Sequence, residues 1–117
     1  MENADNDSLT ITKLYFELSN TGDLSAIDQL ISADATYSST HTGLYFGRID
    51  IMTMMKAFYQ SYRSLNWQIN SIKVLTEFIT EVHFTFISTD HSGQTTERMG
   101  IERIVVVDGL IRHIEVR

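Results

Sequence analysis

The sequence predicts an α+β fold, three helices followed by four strands, with the helices laid on one face of the sheet. Apolar residues recur at the helical period of about 3.6 in the first half and at the strand period of 2 from Leu65 onward. The later runs are joined by hairpin chemistry, which makes them an antiparallel meander. A chain of 117 residues, 43% hydrophobic and 21% charged, is long enough for one well-filled core.

The elements follow in order. Glu2, Asp5 and Asp7 mark residues 1–7 as a polar disordered tail, and a single domain is expected over 8–117. Ser8 is placed to cap a first helix over about 9–20, in which Ile11, Leu14, Tyr15 and Leu18 fall on one stripe; Asn20-Thr21-Gly22 stops it. Asp23 caps a second, shorter helix with Leu24, Ile27, Leu30 and Ile31 on one side, ending near Ser32-Ala33-Asp34. A short polar stretch from Ala35 to His41 and a Thr42-Gly43 break precede a third helix, opened by Gly47-Arg48. Its Ile51, Met55, Phe58 and Tyr62 recur at helical spacing. Strands are expected at about 66–76, 78–89, 94–107 and 110–117, linked in part by Asp90-His91-Ser92-Gly93 and Asp108-Gly109.

Composition removes several function classes. The chain has no cysteine, so disulfides, thiolate metal sites and a cysteine nucleophile are excluded. No apolar run reaches the ~18 residues of a membrane span, and the first residues lack the basic and apolar segments of a secretory leader, so a cytoplasmic location is expected. The net charge of −6 owes three of its fifteen carboxylates to the first seven residues. The lysines and arginines are dispersed singly, so neither nucleic acid nor a membrane is an expected partner. A glycine-rich phosphate loop and a Gly-x-Ser-x-Gly elbow are absent, and the histidines lack metal-ligand spacing, so neither cofactor nor metal is expected.

Strand register predicts a pocket face. If Asp108-Gly109 is a two-residue type I′ turn, Val105 opposes Arg112, Arg103 opposes Ile114 and Ile101 opposes Val116. A four-residue loop at 90–93 then adds Val82, Phe84, Phe86 and Met99 to the same face, the greasier one and therefore the helix-covered one. Arg103 and Arg112 point inward with it. The other face collects Glu81, His83, Thr85, Arg98, Glu102, His113 and Glu115, with Ile79, Ile87, Ile104, Val106 and Ile111. That is more apolar area than a solvated sheet face shows, and a homodimer through the outer face is the expected cover.

The candidate chemistry gathers at one cavity. Tyr15 and Tyr59, on the first and third helices, can polarise a ligand carbonyl or act as core aromatics. Tyr37, Ser39 and His41 share one face at period 2, and His41 is the histidine with a claim to acid–base work. Met52, Met54, Met55 and Trp67 fit core or ligand contact equally. By the same register Arg103, Arg112, Met99 and Ile114 line the pocket face. Glu102 opposite Glu115 reads as a like-charge pair on the outer face.

The segments Asn20-Thr21-Gly22-Asp23-Leu24, Ser32-Ala33-Asp34-Ala35-Thr36, Gly43-Leu44-Tyr45-Phe46-Gly47-Arg48 and Val107-Asp108-Gly109-Leu110-Ile111, in this order, resemble the nuclear transport factor 2-like superfamily. Within it the chain is most similar to the ketosteroid isomerase and SnoaL-like polyketide cyclase group, over about residues 8–117. The resemblance implies a cone, a cystatin-like α+β roll in which a curved sheet wraps three helices around a deep apolar pocket, with frequent dimers through the outer sheet face. It puts the oxyanion tyrosine at Tyr15 and a second tyrosine, bonded to the first, at Tyr59. The isomerase's base position falls on Ser39 and its protonated-acid position on Arg103. Serine cannot shuttle a proton between carbon positions and arginine stays charged, which argues against steroid isomerisation itself. A lyase, isomerase or cyclase acting on an apolar carbonyl or carboxylate compound is implied; a non-catalytic ligand-binding or protein-interaction module is the alternative.

Overall fold

The computed structural model describes residues 4–117. Its elements are α1 (Ala4–Thr21), α2 (Leu24–Leu30), β1 (Ile31–Ser39), β2 (Gly43–Phe46), α3 (Arg48–Gln60), β3 (Tyr62–Val74), β4 (Ile79–Asp90), β5 (Thr95–Val107) and β6 (Leu110–Val116). The expected architecture is present, with two additions. The polar stretch in which Tyr37 and Ser39 alternate to one face is strand β1, and Gly43–Phe46 adds β2, so the sheet has six strands in the order β2-β1-β6-β5-β4-β3 rather than four. Since β1 runs parallel to β6, the sheet is mixed rather than purely antiparallel.

Helix α1 begins at Ala4, ahead of the expected start. Residues 4–7 of the expected tail are therefore its first turn, and residues 1–3 lie outside the described residues. Ser8 is consequently no cap: it is fully buried within the helix, and its Oγ lies 2.6 Å from Thr80 Oγ1 on β4. The buried stripe of α1 is Ser8, Thr12, Tyr15, Phe16 and Ser19, one position round from the stripe of larger aliphatics. Asp23 does cap α2, accepting from the Ala26 amide at 3.1 Å. Helix α2 ends at Leu30 because β-branched Ile31 turns extended and enters β1 fully buried. Gly47, at φ 93°, starts α3 in a conformation that side chains resist.

Register decides what the sheet shows the helices. Asp108 and Gly109 both have positive φ, 54° and 78°, as a type I′ turn requires, and Val107 pairs with Leu110 as expected. A bulge then intervenes: Val106 pairs with Ile111 but Val105 with His113, so Arg112 is the extra residue. The β4–β5 hairpin differs as well. The Asp90 amide donates to Gln94 O at 2.9 Å, leaving a three-residue loop that ends in Gly93 at φ 95°, and Thr89 pairs with Thr95. This is one residue away from the four-residue loop, and a one-residue slip turns every side chain of a strand to the other face.

The inner face therefore comprises Val82, Phe84 and Phe86 of β4 with Arg98, Gly100, Glu102, Ile104 and Val106 of β5 and Ile111, Ile114 and Val116 of β6. Arg103, Ile101, Val105 and Met99, expected inside, lie on the outer face, and Met99 is 76% exposed. Ile104, Val106 and Ile111, expected outside, are core residues. Glu115 sits opposite Arg103 rather than Glu102. Phe84 lies across Gly100, where a Cβ would come within 2.6 Å of the ring's Cζ, so only glycine admits the phenyl ring there.

Candidate functional site

Between α1, α3 and the inner sheet face lies a cavity of about 70 Å³. Tyr15, Phe16 and Ser19 of α1 line it, with Met54, Met55, Phe58 and Tyr59 of α3 and Tyr37, Ser39, His41 and Thr42 of β1 and the turn after it. The sheet contributes Trp67, Phe84, Phe86, Arg98, Glu102 and Val116. Helix spacing puts Tyr15 and Ser19 one turn apart, and strand alternation brings Tyr37 and Ser39 to the same side.

Glu102 is the unusual member. It is 4% exposed, and its carboxyl makes no hydrogen bond and no ion pair among the described residues. Burial alone pushes its pKa up to about 8, so at pH 7 it is a neutral acid with a free O–H. Three phenols surround it. Tyr15 is raised well above its ordinary value by burial and then by the Glu102 carboxyl, and Tyr37 is raised by the same two causes. Tyr59 is pushed up to about 12, burial again leading. All three are neutral hydrogen-bond donors at physiological pH.

Second contacts hold these groups in place. Ser19 Oγ donates to Tyr15 O at 2.7 Å, and the Tyr59 hydroxyl donates to Ser19 O at 2.7 Å. Tyr59 therefore braces α3 against α1, rather than donating to the Tyr15 hydroxyl. Ser39 Oγ accepts from the amides of His41 and Thr42 at 3.0 and 3.3 Å, so it shapes the turn that presents His41 at the mouth. Asn20 clamps β3: its Nδ2 donates to Trp67 O at 3.0 Å, and the Trp67 amide donates to its Oδ1 at 2.7 Å. That fixes the indole against Phe86, with ring centroids 4.8 Å apart.

Of the sequence candidates, Tyr15, Tyr37, Ser39, His41, Met55, Tyr59, Trp67, Phe84 and Phe86 meet at this cavity. Four do not. Arg103 is on the outer face, its Nε 2.8 Å from Glu81 Oε2; Arg112 is exposed at the bulge; Met99 faces away; and Ile114 is buried core outside the lining. The other histidines stand apart: His83 pairs with Glu81 at 3.1 Å, His113 with Thr36 at 2.7 Å, and His91 with Gln60 O at 2.8 Å. Glu102 and Arg98 were missed because both were assigned to the outer face. The signal that finds them is Gly93, the left-handed residue that closes a three-residue loop.

A model of the SnoaL-like domain matches residues 12–114. The chain belongs to the SnoaL-like domain family. None of the curated proteins matches it, but solved structures share its fold. A protein of Xanthomonas campestris pv. campestris assigned as a polyketide cyclase superposes with a TM-score of 0.89 at 18% identity, over 97% of this chain and 91% of the other. A Catenulispora acidiphila protein of ketosteroid isomerase-like fold, in complex with trimethylamine, gives 0.82 at 12% identity, over 92% and 83%. An LEH-like epoxide hydrolase of M. tuberculosis gives 0.83 at 13% identity, over 95% and 81%. At these identities the likeness is one of fold, the NTF2-like α+β roll. No helix among the described residues is long and apolar enough to cross a membrane.

Proposed function

We propose that this SnoaL-like domain is an acid–base enzyme, of lyase, isomerase or cyclase type, acting on a small apolar carbonyl compound. The observation that carries the reading is Glu102: a buried, unpartnered carboxylic acid facing a cavity, with a pKa near working pH, where a proton donor is most effective. Tyr15 and the neutral Glu102 both donate to the carbonyl oxygen of the ligand. His41 accepts the proton from the adjacent carbon as the C–H bond breaks, and the enolate oxygen that forms is held by the two donors. Return of the proton from His41 to another carbon of a conjugated enolate gives isomerisation; attack of the enolate carbon on a second carbonyl of the same molecule closes a ring, and His41 passes its proton to the alkoxide that forms. Glu102 thus takes the part that the family resemblance assigns to Arg103. The Xanthomonas structure named as a polyketide cyclase supports this class of chemistry.

The test is hydrogen–deuterium exchange next to the carbonyl of an apolar ketone such as tetralone, followed by NMR in deuterium oxide. Exchange catalysed by the wild-type protein and reduced about a hundredfold in Glu102→Gln is the expected result. Equal rates in the two proteins would sink the reading. We propose also that two copies pair through the outer sheet face, where Met99, Ile101 and Leu110 are exposed. Sedimentation at a dimer mass, reduced to a monomer by Met99→Glu, is the outcome that supports it.

A further inference from the structure

The cavity has a second polar pole that the acid–base reading does not use. Arg98 lines it four residues before Glu102 on the same face of β5, so about 13 Å of strand separates the two. The arginine and histidine ion pairs among the described residues, Arg48 with Asp28, Arg103 and His83 with Glu81, and Arg117 with Glu115, all lie outside the cavity. Arg98 has neither a carboxylate nor a hydrogen-bond acceptor among those residues. Its guanidinium stands instead 5.4 Å over the Phe86 ring, a contact that orients the group while leaving its N–H donors free.

The surroundings of Arg98 are flat and aromatic. Phe86 is nearly parallel to Phe58, at 29° and 6.0 Å, and the Trp67 ring centroid lies 4.8 Å from it. Tyr62 closes the cluster, 5.2 Å from Phe58. Among the described residues the lining holds one carboxyl, Glu102, which burial keeps protonated at pH 7, so the guanidinium of Arg98 has no carboxylate in the cavity to neutralise it. A ligand that satisfies both poles has a carbonyl at one end, a planar apolar body against the rings, and an anionic group at the other end.

We infer that Arg98 determines specificity by pairing with an anionic group, a carboxylate in the simplest case, at the end of a flat aromatic substrate remote from its reacting carbonyl. The inference rests on the acid–base reading for which end reacts, but not for whether the anion binds. The guanidinium, on an exposed residue at the cavity's edge, forms charge-assisted, bidentate hydrogen bonds with the carboxylate, and its contact with the Phe86 ring holds it beside the aromatic lining.

The probes are acetylnaphthoate, with a ketone at one end and a carboxylate at the other, and its neutral twin acetylnaphthamide, with affinities measured by calorimetry at pH 7. The wild-type protein is expected to bind the acid roughly ten- to a hundredfold more tightly than the amide. Arg98→Met is expected to erase that preference while holding the amide as before, which also shows that the variant is folded. Arg98→Lys retains part of it. Glu102→Gln should keep the preference for the acid while losing hydrogen exchange on the ketone, so the two proposals fail separately. Equal binding of acid and amide by the wild type, binding of neither, or an equal loss of both in Arg98→Met would each overturn the assignment.

Discussion

Glu81 and Glu102 sit on neighbouring antiparallel strands, yet they face opposite sides of the sheet and live in opposite electrostatic worlds. On the outer face Glu81 accepts from Arg103 Nε at 2.8 Å and lies 3.1 Å from His83 Nε2, and these two partners hold its carboxyl below the usual range. On the inner face Glu102 has no partner, and burial raises it to about 8. The residue type is the same; what differs is whether a cation shares the site. Glu81 is spent on structure, whereas Glu102 keeps a titratable proton for whatever enters the cavity.

The largest effect should come from removing that proton. Glu102→Gln is expected to lower proton exchange on a bound ketone about a hundredfold, and it should also change how stability depends on pH. In the wild type the folded state holds a proton on Glu102 that the unfolded chain releases above 4.5, so stability falls as pH rises from there to about 8 and is then flat. The slope contributed by one group is at most about 1.4 kcal/mol per pH unit. Urea midpoints measured across that interval should decline less steeply in Glu102→Gln; parallel curves for the two proteins would show that Glu102 is ionised in the fold.

Gly100→Ala sharpens the comparison by leaving Glu102 in place and altering the floor beside it. The new Cβ would stand 2.6 Å from Phe84 Cζ and 3.1 Å from Arg117 O, so the phenyl ring must move into the cavity. A loss of about 1–3 kcal/mol of stability is expected, with weaker binding of any planar ligand. Unchanged affinity would mean that ligands do not lie against Phe84.

These residues also mark where the sequence stops being legible. The helices, the four-strand meander, the Asp23 cap and the Asp108-Gly109 turn follow from periodicity and local turn chemistry. Tyr15, Tyr37, His41 and Tyr59 reach the cavity by helix and strand spacing alone. Glu102 and Arg98 did not emerge, because their facing depends on counting residues across His91-Ser92-Gly93, where one position reverses β5. The bulge at Arg112 imposes a second reversal, and only after it do Ile114 and Val116 return to the inner face. Bulges leave little trace in composition, since the pattern on either side of them alternates normally. Strand β1 is legible in the period-2 facing of Tyr37, Ser39 and His41, whereas its partner β2, Gly43–Phe46, is only four residues long and too short to show a period.

A smaller effect is expected at Tyr59. Phenylalanine there keeps the ring against Trp67 but removes the 2.7 Å bond to Ser19 O, leaving that carbonyl with only the longer 3.3 Å bond from the Gly22 amide. The cost should be about 1 kcal/mol in denaturant unfolding. Tyr15→Phe takes away a donor to the ligand instead, and should slow exchange more than Tyr59→Phe does. Equal slowing would assign both tyrosines the same role.

The smallest effect, and the one that most directly opposes the two faces, is Arg103→Ala. The family resemblance puts this arginine at the oxyanion; the fold places it outside, half-exposed against Glu81. Exposed ion pairs contribute about 0–1 kcal/mol, so stability should shift by no more than that, and exchange on a ketone should be untouched. The change should appear elsewhere. With its foremost partner gone, the Glu81 carboxyl should titrate closer to the ordinary carboxylate range, and carbon-detected NMR of the side chain resolves that movement directly. If Arg103→Ala instead abolished exchange while Glu81 titrated as before, β5 would present its other face to the cavity, and Arg103, not Glu102, would be the group that meets the substrate.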